Sequence, residues 1–276
     1  MSVLVYQRPQ NFVPPIGCNK LRCVDALGQL VGYGTVSFAH RIRLFVQRLG
    51  IDVSRYPGFD PMCMVARLLD AHRVDVVLDV GANSGRYGQE LRRAGYRGRI
   101  VSFEPLREPF EVLARYAAAD PLWKAMPYAL GDHNGTATLN VAANAGESSS
   151  ILPMLPRHAE AYPAASYVAT EDAQMRTLDS LAPAILTPQQ RVFLKADVQG
   201  FERAVLNGAA ATLDDGCVGL QLELSLVPLY EGGMLYREAL DFAEQQGFSL
   251  MQVIPGFTDP RDGRLLQMDG VFFRDG

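Results

Sequence analysis

Val76-Val77-Leu78-Asp79-Val80-Gly81-Ala82-Asn83-Ser84-Gly85-Arg86-Tyr87 is the stretch on which the fold turns. Val76, Val77, Leu78 and Val80 form a short, apolar, β-branched run, the composition of a buried strand. It carries one acid, Asp79, and then breaks into Gly81-x-Asn83-x-Gly85 before a helical pattern starts. Glycines there permit a tight turn and let backbone N–H groups approach a ligand, while the helix start favours negative charge. The acid can do something different, which is to pair with a cationic amine. Its duller alternative is to cap the helix that begins near Ser84. A ligand that combines a carboxylate, an ammonium and a ribose suits this mixture better than a pyrophosphate does.

The next strand, Arg99-Ile100-Val101-Ser102-Phe103-Glu104, also ends in an acid, and Pro105 stops it there. In dinucleotide folds an acid about 20 residues past the glycine turn accepts the ribose hydroxyls. The dinucleotide fingerprint is Gly-x-Gly-x-x-Gly, and Gly81-x-Asn83-x-Gly85 lacks its middle glycine. That departure argues against NAD and for S-adenosylmethionine, which has no phosphate to accommodate. Asp79, Gly81, Ala82, Asn83, Gly85, Tyr87, Glu104 and Pro105 are therefore the expected cofactor contacts. Ala129 and Leu130, at the end of a third strand, are expected to give adenine an apolar slot.

Asp79-Val80-Gly81-Ala82-Asn83-x-Gly85-x-Tyr87, then Phe103-Glu104-Pro105, then Leu194-Lys195-Ala196-Asp197-Val198-Gln199-Gly200-Phe201-Glu202, resembles the FkbM family of S-adenosylmethionine-dependent methyltransferases. The likeness spans roughly residues 74–255. It implies a class I, Rossmann-like α/β fold with a seven-stranded mixed sheet and helices on both faces. It also implies methyl transfer to a hydroxyl of a small-molecule or glycan acceptor, with a sugar hydroxyl favoured.

A chain of 276 residues, 48% hydrophobic and 20% charged, has the composition of a soluble globular protein with one large domain. The net charge of −4 gives no reason to expect nucleic acid as partner. Residues 1–56 hold seven Lys or Arg against two Asp or Glu, so the acidic excess lies beyond them. The four cysteines, Cys18, Cys23, Cys63 and Cys217, form no CxxC pair, which points to reduced thiols in the cytoplasm. No run approaches the ~18 apolar residues of a membrane span.

Residues 1–60 are expected to be an N-terminal arm with a helix over 35–49, serving as a lid or a homodimer contact, before a methyltransferase domain at 61–276. Phe38, Ile42, Phe45 and Leu49 fall at helical spacing, with Arg41, Arg43 and Arg48 elsewhere; packing on protein is the favoured use and a membrane surface the other. Helices are expected at 60–72, 108–118, 201–213 and 238–246. Strands are expected at 123–130, 136–141, 191–197 and 218–224, with a closing pair at 248–254 and 270–273. Residues 142–170, which include Ser148, Ser149 and three prolines, read as a long loop able to meet substrate.

Ligands of open α/β sheets bind beyond the carboxyl ends of the strands, and Asp79, Glu104, Asp197 and Glu223 all fall near such ends. Carboxylates crowded on one rim repel one another, so a row of them points to a site. Asp197 is the first expected catalytic residue, as base or acceptor-orienting group, and Glu223 the second. Gln199 joins Ser148 and Ser149 as an expected substrate contact. His133 is a weaker alternative base. A divalent cation on Asp197 with Glu223 or Gln199 is conceivable but not favoured, because the ligand set is thin. Lys195, two residues before Asp197, shares its face and is expected to pair with a carboxylate. The rival functions are an NAD-dependent oxidoreductase and a non-catalytic scaffold of the same fold.

Overall fold

A computed structural model describes residues 60–274, together with the backbone of Tyr6–Gln7 and Ile51–Asp52, which pair as a short antiparallel ladder. The chain divides into two units, Met1–Asp60 and Pro61–Gly276. The helix expected over 35–49 lies outside the described residues.

The second unit begins with helix α1 (Pro61–Ala71), which leads into strand β1 (Val76–Val80). Then follow α2 (Arg86–Ala94), β2 (Arg99–Phe103), α3 (Arg107–Ala118) and β3 (Trp123–Met126). After an insertion, β7 (Val192–Ala196), α6 (Glu202–Asn207), α7 (Ala210–Asp214), β8 (Cys217–Ser225), α8 (Tyr236–Gln245), β9 (Phe248–Pro255) and β10 (Gln267–Arg274) complete the unit. The seven strands lie in the order β9-β10-β8-β7-β1-β2-β3. The run from β8 to β3 is parallel, and β10 is inserted antiparallel between β8 and β9. This is the class I, Rossmann-like methyltransferase topology: strand order reverses beside β1, where a cleft opens at the carboxyl ends.

The alternation of β1 sends its side chains into two cores. Val76, Leu78 and Val80 belong to one core with Val205, Leu206 and Leu213 of α6 and α7 and Ala239 and Ala243 of α8. Val77 belongs to the other, with Val65 and Leu69 of α1, Leu91 of α2 and Leu113 of α3. Both faces are covered, so β1 and β7 are buried at every position and read as near-continuous apolar runs.

The insertion differs from expectation. The third strand breaks at Pro127, which has no N–H for a ladder; Ala129–Leu130 becomes β4, which pairs in a separate three-stranded sheet. There it joins β6 (Tyr167–Arg176), with β5 (Gly135–Ala142) antiparallel on the other side of β6. Residues 142–170 are not one loop: α4 (Pro156–Ala161) and a 3₁₀ turn (Pro163–Ala165) lie within them. Helix α5 (Leu178–Ile185) follows β6, capped by the Thr177 hydroxyl, which accepts from the Ser180 N–H. The helix expected over 201–213 divides at Gly208, where a Cβ would meet the Gly131 carbonyl at 1.9 Å.

Candidate functional site

The strand register sets two rows of polar groups on one face of the sheet. Ser102 (β2), Asp79 (β1), Lys195 (β7) and Gln221 (β8) are direct neighbours across four parallel strands. They are all buried. Trp123 Nε1 donates to Ser102 Oγ at 3.0 Å, and Ser102 Oγ donates to Asp79 Oδ2 at 3.0 Å. Lys195 Nζ lies 3.3 Å from Asp79 Oδ1 and 3.6 Å from Asp197 Oδ2. Burial lowers the Lys195 pKa, but Asp197 and Asp79 more than offset this and hold the ammonium charged. The Tyr87 ring lies 5.5 Å from that ammonium, and its hydroxyl donates to Gln221 Oε1 at 2.8 Å.

The second row lies one step nearer the carboxyl ends and faces a cleft of about 570 Å³. It runs from Glu104 past Gly81 to Asp197, Glu223 and Asp269, the last two directly opposed on antiparallel strands. Gly81 has φ +73°, and a Cβ there would stand 1.9 Å from the Asp197 carbonyl oxygen. Only glycine lets the β1 turn lie this close to the end of β7.

The turn at residues 81–85 uses its own backbone donors. Gly81 and Ala82 N–H groups donate to the Phe103 carbonyl, and Gly85 N–H to the Ala82 carbonyl. Asn83 N–H donates to Glu104 Oε2 at 2.8 Å and Ser84 N–H to Asn83 Oδ1 at 2.6 Å. All five are satisfied within the protein. A phosphate cradle needs such N–H groups aimed at a ligand, so this turn is unsuited to a pyrophosphate. Asn83 reaches this arrangement with φ 45°, uncommon for a residue with a side chain.

Glu104 is 5% exposed, and its Oε1 accepts from the Leu106 N–H at 2.9 Å. Burial pushes its carboxyl up to about 7, against the pull of the Leu106 and Asn83 N–H groups. Each of its oxygens keeps a second lone pair for a ligand hydroxyl. Ala82, Asn83, Tyr87, Pro105, Ala129 and Leu130 line the cleft with it. Asp79 and Gly85 are not among the lining residues. Asp79 belongs to the buried row beneath, and Gly85 packs toward Leu113 and Trp123.

Gln199 ties the acids of the other end together. Its Nε2 donates to Asp197 Oδ1 at 2.8 Å and Glu223 Oε2 at 3.2 Å, and its Oε1 accepts from the Tyr230 hydroxyl at 2.7 Å. Its own φ is 55°. Gln267 Nε2 donates to Glu223 Oε2 at 2.6 Å. Burial pushes the Glu223 carboxyl well up, and the charges on Asp197, Glu202 and Asp269 add to this. Burial, with Asp197, brings Asp269 up to about 6. Glu202 accepts from the N–H groups of Val198 and Gly200 and so fixes the 198–200 turn. Ser148 and Ser149 border the same cleft; the Ser148 carbonyl also accepts from Tyr230. His133 is exposed, pairs with Asp132 and does not line the cleft.

Asp269 and His158 line the cleft and were not anticipated. The sequence signal for Asp269 was an acid one residue before the apolar run of the last strand; for His158 there was none. Among the described residues, no group of three or more His, Cys, Asp or Glu is arranged to hold a metal ion. No described helix is long and apolar enough to cross a membrane.

No curated protein matches the chain. Among solved structures it is similar to an rRNA methylase from Streptococcus thermophilus, at 11% identity and TM-score 0.42, covering 79% of this chain and 98% of that one. It is also similar to fibrillarin from Aeropyrum pernix with natively bound S-adenosyl-L-methionine, at 16% identity and TM-score 0.41, covering 75% and 73%. Residues 79–250, more than half of the chain, match the profile of the Methyltransferase FkbM domain. The chain belongs to the FkbM methyltransferase family.

Proposed function

We propose that the protein transfers a methyl group from S-adenosylmethionine to a hydroxyl oxygen of a small molecule or glycan, with a sugar hydroxyl as the acceptor. The observation that carries this is the carboxylate row along one cleft, set beside a glycine turn whose N–H groups at residues 81–85 are all used within the protein. A ligand with ribose hydroxyls, an adenine and a cationic amino-acid end meets an acid, an apolar slot and further acids in that order. When bound, S-adenosylmethionine supplies a methyl on a positively charged sulfur.

In this reading Glu104 accepts from the ribose hydroxyls, while Ala129 and Leu130 cover the adenine. Asp197, half-buried between the two ends of the row, orients the acceptor hydroxyl and takes its proton. Bound S-adenosylmethionine would supply the methyl carbon, its sulfur keeping the bonding electron pair, while Asp197 takes the proton that the acceptor hydroxyl loses. Glu223, held by Gln199 and Gln267, takes one edge of the acceptor.

A polyanionic acceptor fits poorly. The acids lining the cleft are Glu90, Glu104, Glu147, Asp197, Glu223 and Asp269, whereas the cations are Arg86 and Lys195. Arg86 pairs with Glu90, and Lys195 with Asp79 and Asp197. Nucleic-acid binding needs the opposite balance.

The test is incubation of the full-length protein with tritiated S-adenosylmethionine and a panel of glycosides, sugar phosphates and a short RNA. Calorimetry with S-adenosylhomocysteine runs alongside. Tight binding of the latter with label on a sugar oxygen supports the assignment; label on RNA or on nitrogen overturns it.

A further inference from the structure

The cleft has two ends. In the order β2-β1-β7-β8-β10, Glu104 and Asp269 are four strand spacings apart, roughly 19 Å along the sheet at about 4.8 Å per spacing. The Gly81 turn, Glu104, Ala129 and Leu130 occupy the first end. At the second, Phe257 from the β9–β10 connection and His158 and Tyr162 from α4 and its C-terminus join Glu223 and Asp269.

His158 is 2% exposed, and its Nδ1 has no hydrogen-bond partner. Buried polar groups are nearly always bonded, so an orphaned nitrogen on a ring that lines the cleft marks a position that a ligand or water completes. The ring is held firmly. It stands edge-on to Tyr230 with centroids 5.2 Å apart and tilted to Phe257 at 5.2 Å, and Phe257 in turn lies 6.3 Å from Tyr162. Burial brings the His158 pKa down to about 4, so the imidazole is neutral near pH 7. Aromatic faces beside a few acceptors suit a compact ring that has apolar C–H faces and a rim of hydroxyls.

Charge narrows the class further. The lining residues at this end include the acids Glu223 and Asp269 and no Lys or Arg. A phosphate or carboxylate placed there would lose its hydration and meet the like charge of Asp269.

Resting on the methyl-transfer reading above, we propose that the second end is the acceptor subsite and that it selects an uncharged polyhydroxylated ring over its anionic counterparts. One face of the ring stacks on Phe257 and Tyr162, the His158 imidazole takes one hydrogen bond, and Glu223 and Asp269 accept from vicinal hydroxyls. The hydroxyl to be methylated then points toward Asp197.

Ligand-observed NMR on the full-length protein saturated with S-adenosylhomocysteine tests this without turnover. The probes are the methyl glycosides of glucose, galactose, mannose and rhamnose, against glucose 6-phosphate and glucuronate. At least one neutral glycoside binds about tenfold more tightly than either anion. Tyr162→Ala, at an exposed position, weakens that glycoside severalfold and leaves S-adenosylhomocysteine affinity unchanged. His158→Phe, which keeps the ring packing, has the same effect; His158→Gln keeps hydrogen-bonding capacity and recovers part of the loss. The subsite assignment is overturned if the anions bind as well as the neutral rings. It is also overturned if the folded Tyr162 and His158 variants bind the glycoside as the wild type does. Failure to bind S-adenosylhomocysteine at all sinks the methyl-transfer reading itself, a different result from failed acceptor selection.

Discussion

Asp79 and Lys195 face each other in register on β1 and β7, with Oδ1 and Nζ 3.3 Å apart, and both are almost wholly buried. Asp79 lies beneath the cleft and Lys195 reaches its wall, and the pair is joined through Ser102 to Trp123 on one side and through Tyr87 to Gln221 on the other. Removing Lys195 leaves Asp79 as an uncompensated charge in the core, which costs about 3–5 kcal/mol, whereas removing Asp79 leaves Lys195 still beside Asp197 at 3.6 Å. Lys195→Ala should lose stability of this order in urea unfolding, and Asp79→Ala less. The double replacement Asp79→Leu with Lys195→Met should lose much less than the sum. Additive losses would mean that the two charges do not depend on each other. Trp123 is the single tryptophan and bonds to Ser102 in this row, so its fluorescence reports the transition locally.

Gly81→Ala tests the close approach of the β1 turn to β7. The new methyl would overlap the Asp197 carbonyl oxygen, and φ +73° is unfavourable for alanine in any case. A loss on the order of 1–3 kcal/mol is expected, together with a large drop in S-adenosylhomocysteine affinity, because the carbonyl and the turn must separate. Unfolding curves and calorimetry measure the two effects. A variant that binds normally would show that the turn relaxes without disturbing the cofactor end.

Buried acids give the protein an unusual pH dependence. Glu104 and Glu202 are both raised to about 7 by burial, against an unfolded value of about 4.3. Between those values the folded state binds more protons than the unfolded one, so stability falls as pH rises through that window. Asp269, raised to about 6, acts in the same direction, while His158, lowered to about 4, opposes them below its unfolded value of about 6.5 and is outweighed by the buried acids. The protein without ligand should therefore be more stable near pH 5 than near pH 8, by a few kcal/mol at most. Glu104→Gln should flatten the profile. Urea midpoints at the two pH values decide the matter, and a higher midpoint at pH 8 would contradict it.

The parts of the fold that were legible are those where one residue pattern has one physical solution. Val76–Val80 and Val192–Ala196 are buried on both faces, so composition alone marks them as central strands. Strand β6 escaped notice because its outer face is solvated: Val168, Thr170 and Gln174 are exposed, and only Ala173 and Met175 are buried. Helix α5 was hidden by its internal Pro183. In the site, the acids at strand ends could be found one strand at a time. Asp269 could not, because its place opposite Glu223 depends on which strand β10 inserts beside, a tertiary fact. The spacing could have set Asp79 one step deeper than the rim, since it lies two residues before Gly81, on the same face but further from the carboxyl end of β1.

Asp197 is the residue on which the proposed chemistry can be judged most sharply. It stands between the two ends of the cleft, bonded to Gln199 and 3.6 Å from Lys195, with about a third of its side chain open to solvent. Asp197→Asn keeps the shape and can still engage the Gln199 side chain, but cannot take a proton. If Asp197 is the base, S-adenosylhomocysteine affinity should hold within about twofold, while methyl transfer to the best neutral glycoside falls by about 10²–10⁴. The loss should appear in kcat rather than in the acceptor KM, because proton transfer belongs to the transition state. Gln199→Ala supplies the contrast: it leaves the carboxylate in place but unclamped, so it should raise acceptor KM and lower kcat more modestly. Near-normal turnover by Asp197→Asn would remove it from the proton-accepting role and leave it an orienting group.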